Sequence, residues 1–335
     1  MSDPNAETKR LSGLSHFSRR SFLRWSCATA VAGSTCPAFL QAHPSASSLR
    51  IGLIADLHQD LVPDARMRLD QFLESSSSQR VDAIFQLGDF ATPIAKNKEV
   101  IEAFNNAGTT RYHVIGNHDT DGGASKEQVV DQWGMSHRFY AVDIRGIKFI
   151  VLDANDRPRD HRGGYPAHIA EDQLEWLTAE LQHTGPMIVI SHQPLAGPAA
   201  IDNAAVVQQL LSKAADRVLL ALNGHTHIDE LIELNGIHYW HVNSASYYWV
   251  GGNFKHESLP PDVHAKYPAM SSTCPYRDSL FAFLEVDVES RSLTITGRQS
   301  TWIGSSPADL GVPSKPELIH GQQIVPEIRE RKIEV

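Results

Sequence analysis

From residue 49 onward, short apolar runs alternate with segments whose apolar residues recur at helical spacing. Apolar runs between turn residues are typical of buried strands, and a repeat of three to four residues is typical of an amphipathic helix. The predicted strands are residues 49–55, 81–87, 111–115, 139–144, 148–152, 187–190 and 218–222. The predicted helices are a segment around residues 67–73, ended by a polar turn at 75–78, and residues 99–106, 170–181 and 206–214.

After residue 227 the pattern consists of strands alone. They are predicted at residues 228–234, 237–242, 280–288 and 292–297, and Asn235 and Gly236 have the composition of a hairpin turn. Strands that alternate with helices and are followed by a run of strands predict a layered α/β sandwich with an antiparallel portion.

Two segments fit neither pattern. Residues 247–276 are rich in aromatic residues, proline and histidine, and we interpret them as an insertion loop that is either functional or wrongly assigned. Residues 305–335 form a tail that either wraps the body or frays.

The first 42 residues are basic, whereas the rest of the chain is acidic. Five Lys and Arg and two Asp and Glu lie in this segment, which gives it a formal charge of +3. The total formal charge of -9 therefore leaves -12 for residues 43–335. An acidic body repels polyanions, which argues against a nucleic-acid polymer as partner.

The basic segment has the layout of an export signal. Residues 18–23 (SRRSFL) precede a mildly apolar run that ends near Leu40, and small residues follow around Ala42. This order resembles a twin-arginine signal peptide, with an amphipathic helix or an uncleaved anchor as the alternative. The resemblance implies a signal at residues 1–42, which leaves a body at residues 43–304 and the tail. It also implies the twin-arginine export machinery as partner and a periplasmic or secreted location.

The composition excludes several classes of protein. With 41% hydrophobic and 21% charged residues, the chain is neither disordered nor collagen-like, and no stretch predicts a stable membrane span. A chain of 335 residues buries enough surface to fold without a metal, so a metal in it would serve chemistry. Cys274 is the one cysteine outside residues 1–42, so the fold has no internal disulfide.

Polar side chains suited to metal binding follow the ends of five predicted strands. In an open α/β sheet, residues beyond the carboxyl ends of the strands converge on one site. Asp89 can bridge two cations through its two carboxylate oxygens. Asp56, His58 and His227 then complete one site, and Asn117, His192 and His225 complete the other. Mixed imidazole and carboxylate ligands favour a transition metal over calcium.

Two adjacent cations support phosphoester hydrolysis. They can share a hydroxide that attacks phosphorus while each cation binds a phosphoryl oxygen, with Asn117 beside them. His118 follows Asn117 directly and is placed to give a proton to the leaving group.

The motifs together resemble the calcineurin-like metallophosphoesterase superfamily. They are Asp56-Leu57-His58, Gly88-Asp89, Gly116-Asn117-His118-Asp119, His192 and Gly224-His225-Thr226-His227, in the order of that family. The resemblance implies a catalytic domain at residues 43–304, with 247–276 as its insertion loop, that folds as a four-layer α-β-β-α sandwich of two mixed sheets flanked by helices. It also implies a dinuclear centre of divalent or mixed-valence Mn, Fe or Zn, with His118 and Asn117 as catalytic residues. Residues 173–177 (QLEWL) before the His192 strand are similar to the branch that holds cyclic-nucleotide phosphodiesterases and purple-acid-phosphatase-like enzymes.

Two positions depart from related enzymes. Purple acid phosphatases carry Gly in place of His58 and a Tyr ligand in place of Thr92, so a purple Fe(III) site is not expected. Protein phosphatases of the superfamily have an Asp at the position of Thr92 that orients the catalytic histidine. The partner of His118 is therefore open, with Asp119 or a backbone carbonyl as candidates.

Four further residues are candidates for substrate contacts. Asn155 and Arg157 belong to a basic loop that can grip a phosphate, although charged loops are mostly solvated surface. His241 lies on a strand shortly after the last metal motif. Tyr247 can form a wall of the pocket, with core packing as the alternative.

The sequence predicts an exported dinuclear phosphoesterase that acts on small phosphate esters, with phosphodiesters favoured. A broad-specificity phosphomonoesterase is the alternative. A binding protein that holds metals but has lost catalysis is the alternative from another class.

Overall fold

The computed structural model describes residues 48–335, so the predicted signal peptide lies outside the described residues. The strands are β1 (Leu49–Ile54), β2 (Ala83–Gln86), β3 (Thr110–His113), β4 (Tyr140–Ile144), β5 (Ile147–Val151), β6 (Met187–Ile190), β7 (Val218–Asn223), β8 (Glu230–Leu234), β9 (Ile237–His241), β10 (Tyr247–Trp249), β11 (Thr273–Pro275), β12 (Ala282–Asp287), β13 (Ser292–Thr296) and β14 (Arg331–Glu334).

The helices are α1 (Ala65–Gln79), α2 (Lys98–Asn105), α3 (Lys126–Trp133), α4 (Glu171–Glu180), α5 (Ala204–Ser212) and α6 (Pro261–Lys266). Short 3-10 turns lie at Ala95–Asn97, His118–Gly123, Gly252–Phe254 and Pro268–Ser272. Within residues 48–335, none of the helices combines the length and the apolar composition that crossing a membrane requires.

Two six-stranded mixed sheets form the centre of the fold. The first has the order β14-β13-β12-β1-β2-β3, in which β1, β2 and β3 are parallel and the remaining neighbours antiparallel. The second has the order β4-β5-β6-β7-β9-β8, with β5, β6, β7 and β9 parallel and the edge strands β4 and β8 antiparallel. The short β10-β11 pair stands apart from both sheets.

Three buried apolar clusters separate four layers. The central cluster joins the two sheets, for example through Leu53 and Phe85 of the first and Phe149 of the second. A second cluster packs the outer face of the first sheet against α1, α2 and α3, and a third packs the second sheet against α4 and α5. The predicted α-β-β-α sandwich is confirmed.

Strand β1 shows why its apolar run is continuous. Leu49, Ile51 and Leu53 point into the central cluster, while Ile54 points into the helical layer. Both faces of the strand are therefore buried, as in parallel sheets covered on both sides. Gly52 also faces the helices, where an added Cβ would lie 3.1 Å from the Phe72 ring, so α1 can pack closely on the sheet.

Helix α1 differs from the prediction because it continues through Ser75–Ser78 to Gln79. Ser76 is buried against the sheet, and packing of that kind outweighs the weak intrinsic preference of serine for helices. The helix ends at Arg80, which has a left-handed φ of 53°.

Helix α3 is absent from the predicted elements. It begins with a capping box, in which Ser125 accepts from the Gln128 backbone N–H and the Gln128 side chain accepts from the Ser125 N–H. Val129 and Trp133, four residues apart, are its buried positions. The capping signal was present in the sequence, but two apolar positions are too few to show a helical period.

The segment predicted as a loop at 247–276 carries its own structure. Strands β10 and β11 pair at its two ends, and α6 lies between them. Cys274 lies on β11 and is buried as a free thiol.

The tail wraps the body. Strand β14 pairs with β13, and the Asn243 side chain donates to the Val325 carbonyl at 2.7 Å. Asp229, which is fully buried, pairs with Arg329 at 3.0 Å and with Arg331 at 2.7 Å. The tail is thereby tied to the segment that directly follows His227.

We expect Asp229→Ala to lower the free energy of unfolding by about 2–3 kcal/mol. Removing one partner of a buried ion pair costs about 3–5 kcal/mol, and the partial exposure of both arginines reduces the loss. Urea unfolding followed by circular dichroism measures the change. Glu330→Gln, at an exposed neighbouring carboxylate, should change stability by less than about 0.5 kcal/mol. Equal losses in both variants would contradict the role of the Asp229 ion pairs in holding the tail.

Candidate functional site

The predicted metal ligands lie in loops that follow the central strands of both sheets. Asp56 and His58 follow β1, Asp89 follows β2, His192 follows β6, and His225 and His227 follow β7. The carboxyl ends of these parallel strands lie at one edge of the sandwich, so residues far apart in sequence meet there.

The backbone of these loops is unusually strained. Five of the predicted ligands have left-handed φ values, which are uncommon outside glycine and cluster at functional sites. They are Asp56 at 52°, His58 at 52°, Asp89 at 50°, His225 at 68° and His227 at 52°. Such turns bring each side chain back over the end of its own strand.

Two glycines make room for the ligands. A Cβ on Gly116 would lie 2.2 Å from the Asp89 backbone nitrogen, and one on Gly88 would lie 2.4 Å from His192 Nδ1. A larger residue at either position would therefore displace a predicted ligand.

Asp56, His58 and His227 form the first of two compact groups, with one ligand atom from each within 4.8 Å of the others. His227 Nε2 lies 3.2 Å from Asp56 Oδ1 and 3.2 Å from His58 Nε2. These three side chains are buried, so their ligand atoms face one another away from water.

Asp89, His192 and His225 form the second group, again within 4.8 Å. Asp89 Oδ2 lies 3.2 Å from His192 Nε2 and 3.7 Å from His58 Nε2 of the first group. Asp89 is thus placed between the two groups, where a carboxylate can bridge two cations.

The hydrogen bonding of the site supports a fit to metal ions. Asn117 Oδ1 is buried without a hydrogen-bond partner, a costly state unless a ligand completes it. His192 Nδ1 donates to the Leu87 carbonyl at 2.8 Å, and His227 Nδ1 donates to the Tyr247 carbonyl at 2.7 Å. Both bonds leave Nε2 free to ligate, as in known metal sites.

The electrostatics of the site also favour cations. Burial lowers the pKa of His58 to about 3 and that of His225 to about 4, so both rings are neutral and able to ligate at neutral pH. Although burial opposes it, His192 lowers the pKa of Asp89 well below its usual range. Although burial opposes it, the same pairing raises the pKa of His192 to about 9, so a cation bound there would have to displace a proton from its ring.

Asp119, one of the two candidates for the partner of His118, instead has a structural role. It accepts hydrogen bonds from four backbone N–H groups, those of Asp89, Phe90, Ala91 and Gly116, at 2.7–3.0 Å. Asp119 therefore holds the Asp89 loop against the Asn117 loop.

The partner of His118 is Asp121. His118 Nδ1 lies 2.8 Å from Asp121 Oδ2, and the hydroxyl of Tyr165 donates to Asp121 Oδ1 at 2.8 Å. The His118 ring meets the edge of the His58 ring at a centroid distance of 5.2 Å. Thr92, at the position where related enzymes carry the orienting Asp, instead donates to Asp60 at 2.8 Å.

This arrangement agrees with the family to which the sequence belongs. Residues 49–229, more than half of the chain, match the calcineurin-like phosphoesterase family. The chain belongs to the calcineurin-like phosphoesterases. Members of this family depend on two metal ions, and the protein is accordingly a metal-dependent phosphoric ester hydrolase with two candidate ligand groups.

Solved structures share the fold of this phosphoesterase at low sequence identity. A dimetal phosphatase from Danio rerio is 15% identical, with a TM-score of 0.55 over 76% of this chain and 98% of the other. GAP50, described as the anchor in the inner membrane complex of Plasmodium, is 16% identical, with a TM-score of 0.52 over 83% and 91%. No curated protein matches the sequence.

Two clefts of the phosphoesterase meet beside His118. One of about 730 Å³, the Arg157 cleft, is lined by Asn117, Lys126, Arg138, Arg157 and Tyr165 among others. The other, of about 530 Å³ and here named the Ile94 cleft, is lined by Asp60, Thr92, Pro93, Ile94 and Gln128 among others. Asp121 and Ala124 line both clefts.

A small pocket connects the metal groups to these clefts. It is lined by residues of both groups, His58 and Asp89, together with His118. It shares Asp60, Thr92 and Asp121 with the Ile94 cleft.

The four candidate substrate residues occupy different surroundings. Arg157 and Asn155 line the Arg157 cleft, but the Asn155 amide already donates to the Ile115 carbonyl and accepts from Gln193. Arg157 is exposed, and no hydrogen bond or ion pair to it occurs within residues 48–335.

His241 and Tyr247 are buried behind the metal ligands. His241 Nδ1 lies 3.1 Å from the hydroxyl of Thr226, the residue that stands between His225 and His227 in the sequence. The Tyr247 ring packs 4.8 Å from the His227 ring and 5.1 Å from the His58 ring. Both residues therefore support the ligand loops from behind.

Asp121 and Tyr165 are the site residues that sequence reasoning missed. Asp121 stood in the sequence three residues after His118, a spacing at which side chains meet when the chain turns helically. Tyr165 gave no local signal, because 47 residues separate it from His118.

Proposed function

We propose that this phosphoesterase hydrolyses small phosphodiesters and that its two clefts receive the two ester arms. The observation that carries the proposal is the meeting of the Arg157 and Ile94 clefts beside His118. A phosphodiester has two substituents on phosphorus, whereas a monoester has one and would leave one cleft without a role.

The chain's own residues would divide the work as follows. Asp56, His58 and His227 would hold one cation, and Asn117, His192 and His225 the other, with Asp89 between them. When bound, two cations supply a nucleophile at neutral pH and stabilise charge on the phosphoryl oxygens. The Asn117 amide orients a phosphoryl oxygen, and His118 donates a proton from Nε2 to the departing alcohol.

The ligand types favour Mn, Fe or Zn in this site. Imidazole and carboxylate suit these ions, while calcium prefers oxygen ligands alone. The Thr92 hydroxyl donates to Asp60, and the absence of a Tyr ligand at this position supports the expectation of a site without purple Fe(III).

The choice between diesters and monoesters can be tested directly. We would assay the purified protein, loaded with Mn, Zn or Fe, on bis-p-nitrophenyl phosphate and p-nitrophenyl phosphate. A higher kcat/KM for the diester supports the proposal, and a higher value for the monoester supports a phosphomonoesterase. Turnover of neither ester with any metal would leave a metal-holding binding protein.

We expect Arg157 to recognise a negatively charged ester arm. In Arg157→Ala, KM for a p-nitrophenyl diester whose second arm carries a carboxylate should rise about 3- to 10-fold with kcat unchanged, because an exposed charge-assisted contact is lost. KM for the same diester with an uncharged arm should stay constant. Arg159→Ala, an exposed neighbour that does not line the cleft, is the control, and equal effects in both variants would contradict this role.

We also propose export through the twin-arginine route to the periplasm or the exterior, on the basis of residues 18–23 and the basic charge of residues 1–42. Mass spectrometry of the protein recovered from the periplasm should give an N-terminus near Ala42 or Ala46. Replacing Arg19 and Arg20 by Lys should retain the precursor in the cytoplasm, and unchanged export would refute the assignment.

A further inference from the structure

We propose that the protein cleaves asymmetric phosphodiesters on one defined side. An uncharged, apolar arm occupies the Ile94 cleft and leaves as its alcohol, while a negatively charged arm occupies the Arg157 cleft and stays on the phosphate. The inference rests on the proposed function, since it takes the two clefts as the sites of the two ester arms. It adds which arm each cleft takes and which ester bond breaks.

The lining of the Ile94 cleft is suited to an apolar arm. It includes Pro93, Ile94 and Ala124, and Ile94 is 42% exposed although its side chain is large and apolar. Among the described residues that line this cleft, none is a Lys or an Arg. Contact between Ile94 and an apolar arm removes apolar surface from water, which favours the binding of such an arm.

Two carboxylates in the wall of the Ile94 cleft act against an anionic arm. Asp60 and Asp121 both line the cleft. Asp60 already pairs with Lys96 at 3.0 Å, and Asp121 with His118 at 2.8 Å, so a cationic arm gains little from either. An anionic arm, in contrast, meets oxygens that repel it. The cleft therefore selects uncharged arms.

The Arg157 cleft differs because three bases line it. They are Lys126, Arg138 and Arg157. The first two pair with Asp153 and Asp156 at 2.6–3.0 Å, whereas Arg157 is exposed and has no ion pair within residues 48–335. Of the carboxylates in the same lining, Asp121 and Asp156 are paired, and Glu127 is exposed to solvent. Arg157 can therefore bind the carboxylate of an anionic arm, as no residue of the Ile94 cleft can.

The position of His118 decides which arm leaves. His118 lines the small pocket beside the metal groups, and this pocket shares Asp60 and Thr92 with the Ile94 cleft. It has Asp121 alone in common with the Arg157 cleft, which is lined by Asn117 instead. A proton donor must lie within hydrogen-bond reach of the atom that it protonates. The departing oxygen therefore belongs to the arm in the Ile94 cleft.

The reaction is a hydrolysis in which water supplies both new groups. The hydroxide oxygen forms a bond to phosphorus, and the bond from phosphorus to the oxygen of the apolar arm breaks, leaving its electron pair on that oxygen. Protonated His118 gives its proton to the departing oxygen and regains one from the water that supplied the hydroxide. The products are the apolar alcohol and the phosphate monoester of the charged arm.

A diester whose two arms leave equally well tests the direction of cleavage. In phenyl 3-carboxyphenyl phosphate the two phenols are of nearly equal acidity, so chemistry alone releases both at similar rates. We would measure the initial release of phenol and of 3-hydroxybenzoate by full-length, Mn-loaded protein with liquid chromatography. We expect phenol to be released about 5- to 10-fold faster, because one cleft pairs with the carboxylate and the other excludes it. Equal release, or faster release of 3-hydroxybenzoate, would overturn the proposal.

A base placed in the Ile94 cleft should weaken this preference. Ile94→Lys should lower the ratio of phenol to 3-hydroxybenzoate about 3- to 10-fold, and Arg157→Ala about 3-fold. Val206→Lys is the matched control, because Val206 on α5 is 46% exposed and lines neither cleft, and it should keep the wild-type ratio. An unchanged ratio in Ile94→Lys, or equal changes in both lysine variants, would overturn the assignment of the clefts.

A binding measurement separates this inference from the proposed function. The 3-carboxypropyl ester of phenylphosphonic acid holds its phenyl group through a P–C bond that hydrolysis does not break. Added to Zn-loaded protein, it should shift the NMR signal of the Ile94 Cδ1 methyl group, assigned from its absence in Ile94→Val. The signal of Ile319, which lines neither cleft, should stay in place. If no diester is hydrolysed, the proposed function fails and this spectrum decides the arm assignment: a shift at Ile94 supports it, and no shift overturns it.

Discussion

Replacing Asp89 by alanine should lower the affinity for metal ions by more than about 100-fold and remove nearly all turnover. Loss of an outer-shell partner alone typically costs about 10- to 100-fold in metal affinity, and Asp89 contacts both ligand groups directly. Its removal takes a charge and an oxygen ligand from both sites at once.

The Asp89→Ala variant should nevertheless fold. Asp89 pairs with the buried His192 in the metal-free protein, so its removal costs some stability, but Asp89 belongs to none of the three apolar clusters that hold the layers together. Metal-free protein should still unfold in one cooperative thermal transition, with a lower midpoint than the wild type because His192 loses its partner. A loss of metal would then be a property of the site and not of an unfolded chain.

Elemental analysis of the purified protein and calorimetric titration with Mn²⁺ or Zn²⁺ measure the metal content and affinity. Asp131→Ala, an exposed carboxylate on α3, is the matched control and should keep two ions per chain. A full metal complement in Asp89→Ala would refute the bridging role.

Replacing His118 by alanine should lower turnover without loss of metal, unlike the Asp89 replacement. Both metals should be retained, and kcat should fall about 10²- to 10⁴-fold, the usual contribution of a positioned acid or base. His118 belongs to neither ligand group, and its Nδ1 is engaged with Asp121. The loss should be smaller for p-nitrophenyl esters than for esters of less acidic alcohols.

Metal analysis beside steady-state kinetics tests this expectation. His137→Ala, at an exposed histidine, should leave both quantities unchanged. A kcat within about threefold of the wild type on every ester would remove His118 from the catalytic machinery. Together, the Asp89 and His118 variants separate the capacity to hold metals from the capacity to use them.

Much of this fold could be predicted because its central strands are buried on both faces. Such strands appear as continuous apolar runs, and the residue that ends each run marks the edge of the sheet. Asp56, Asp89 and His192 were identified in this way without knowledge of which strands are neighbours. Helix α3 was not predicted, because it buries too few residues to show a helical period. The serines at the end of α1 were predicted as a turn, because they are helical only through packing.

The sequence by itself determined the sandwich and the order and chemistry of the metal-ligand loops, since buried strands and the polar residues at their ends are local patterns. Only the tertiary structure decided which carboxylate serves His118, because Asp119 is taken by four backbone N–H groups of the neighbouring loops and Asp121 is held by a contact with Tyr165 from a distant loop. It likewise decided that the Asn155 amide is already engaged and that two clefts meet at Asp121. Directions of side chains and shapes of cavities follow from the packing of distant segments, and no local pattern encodes them.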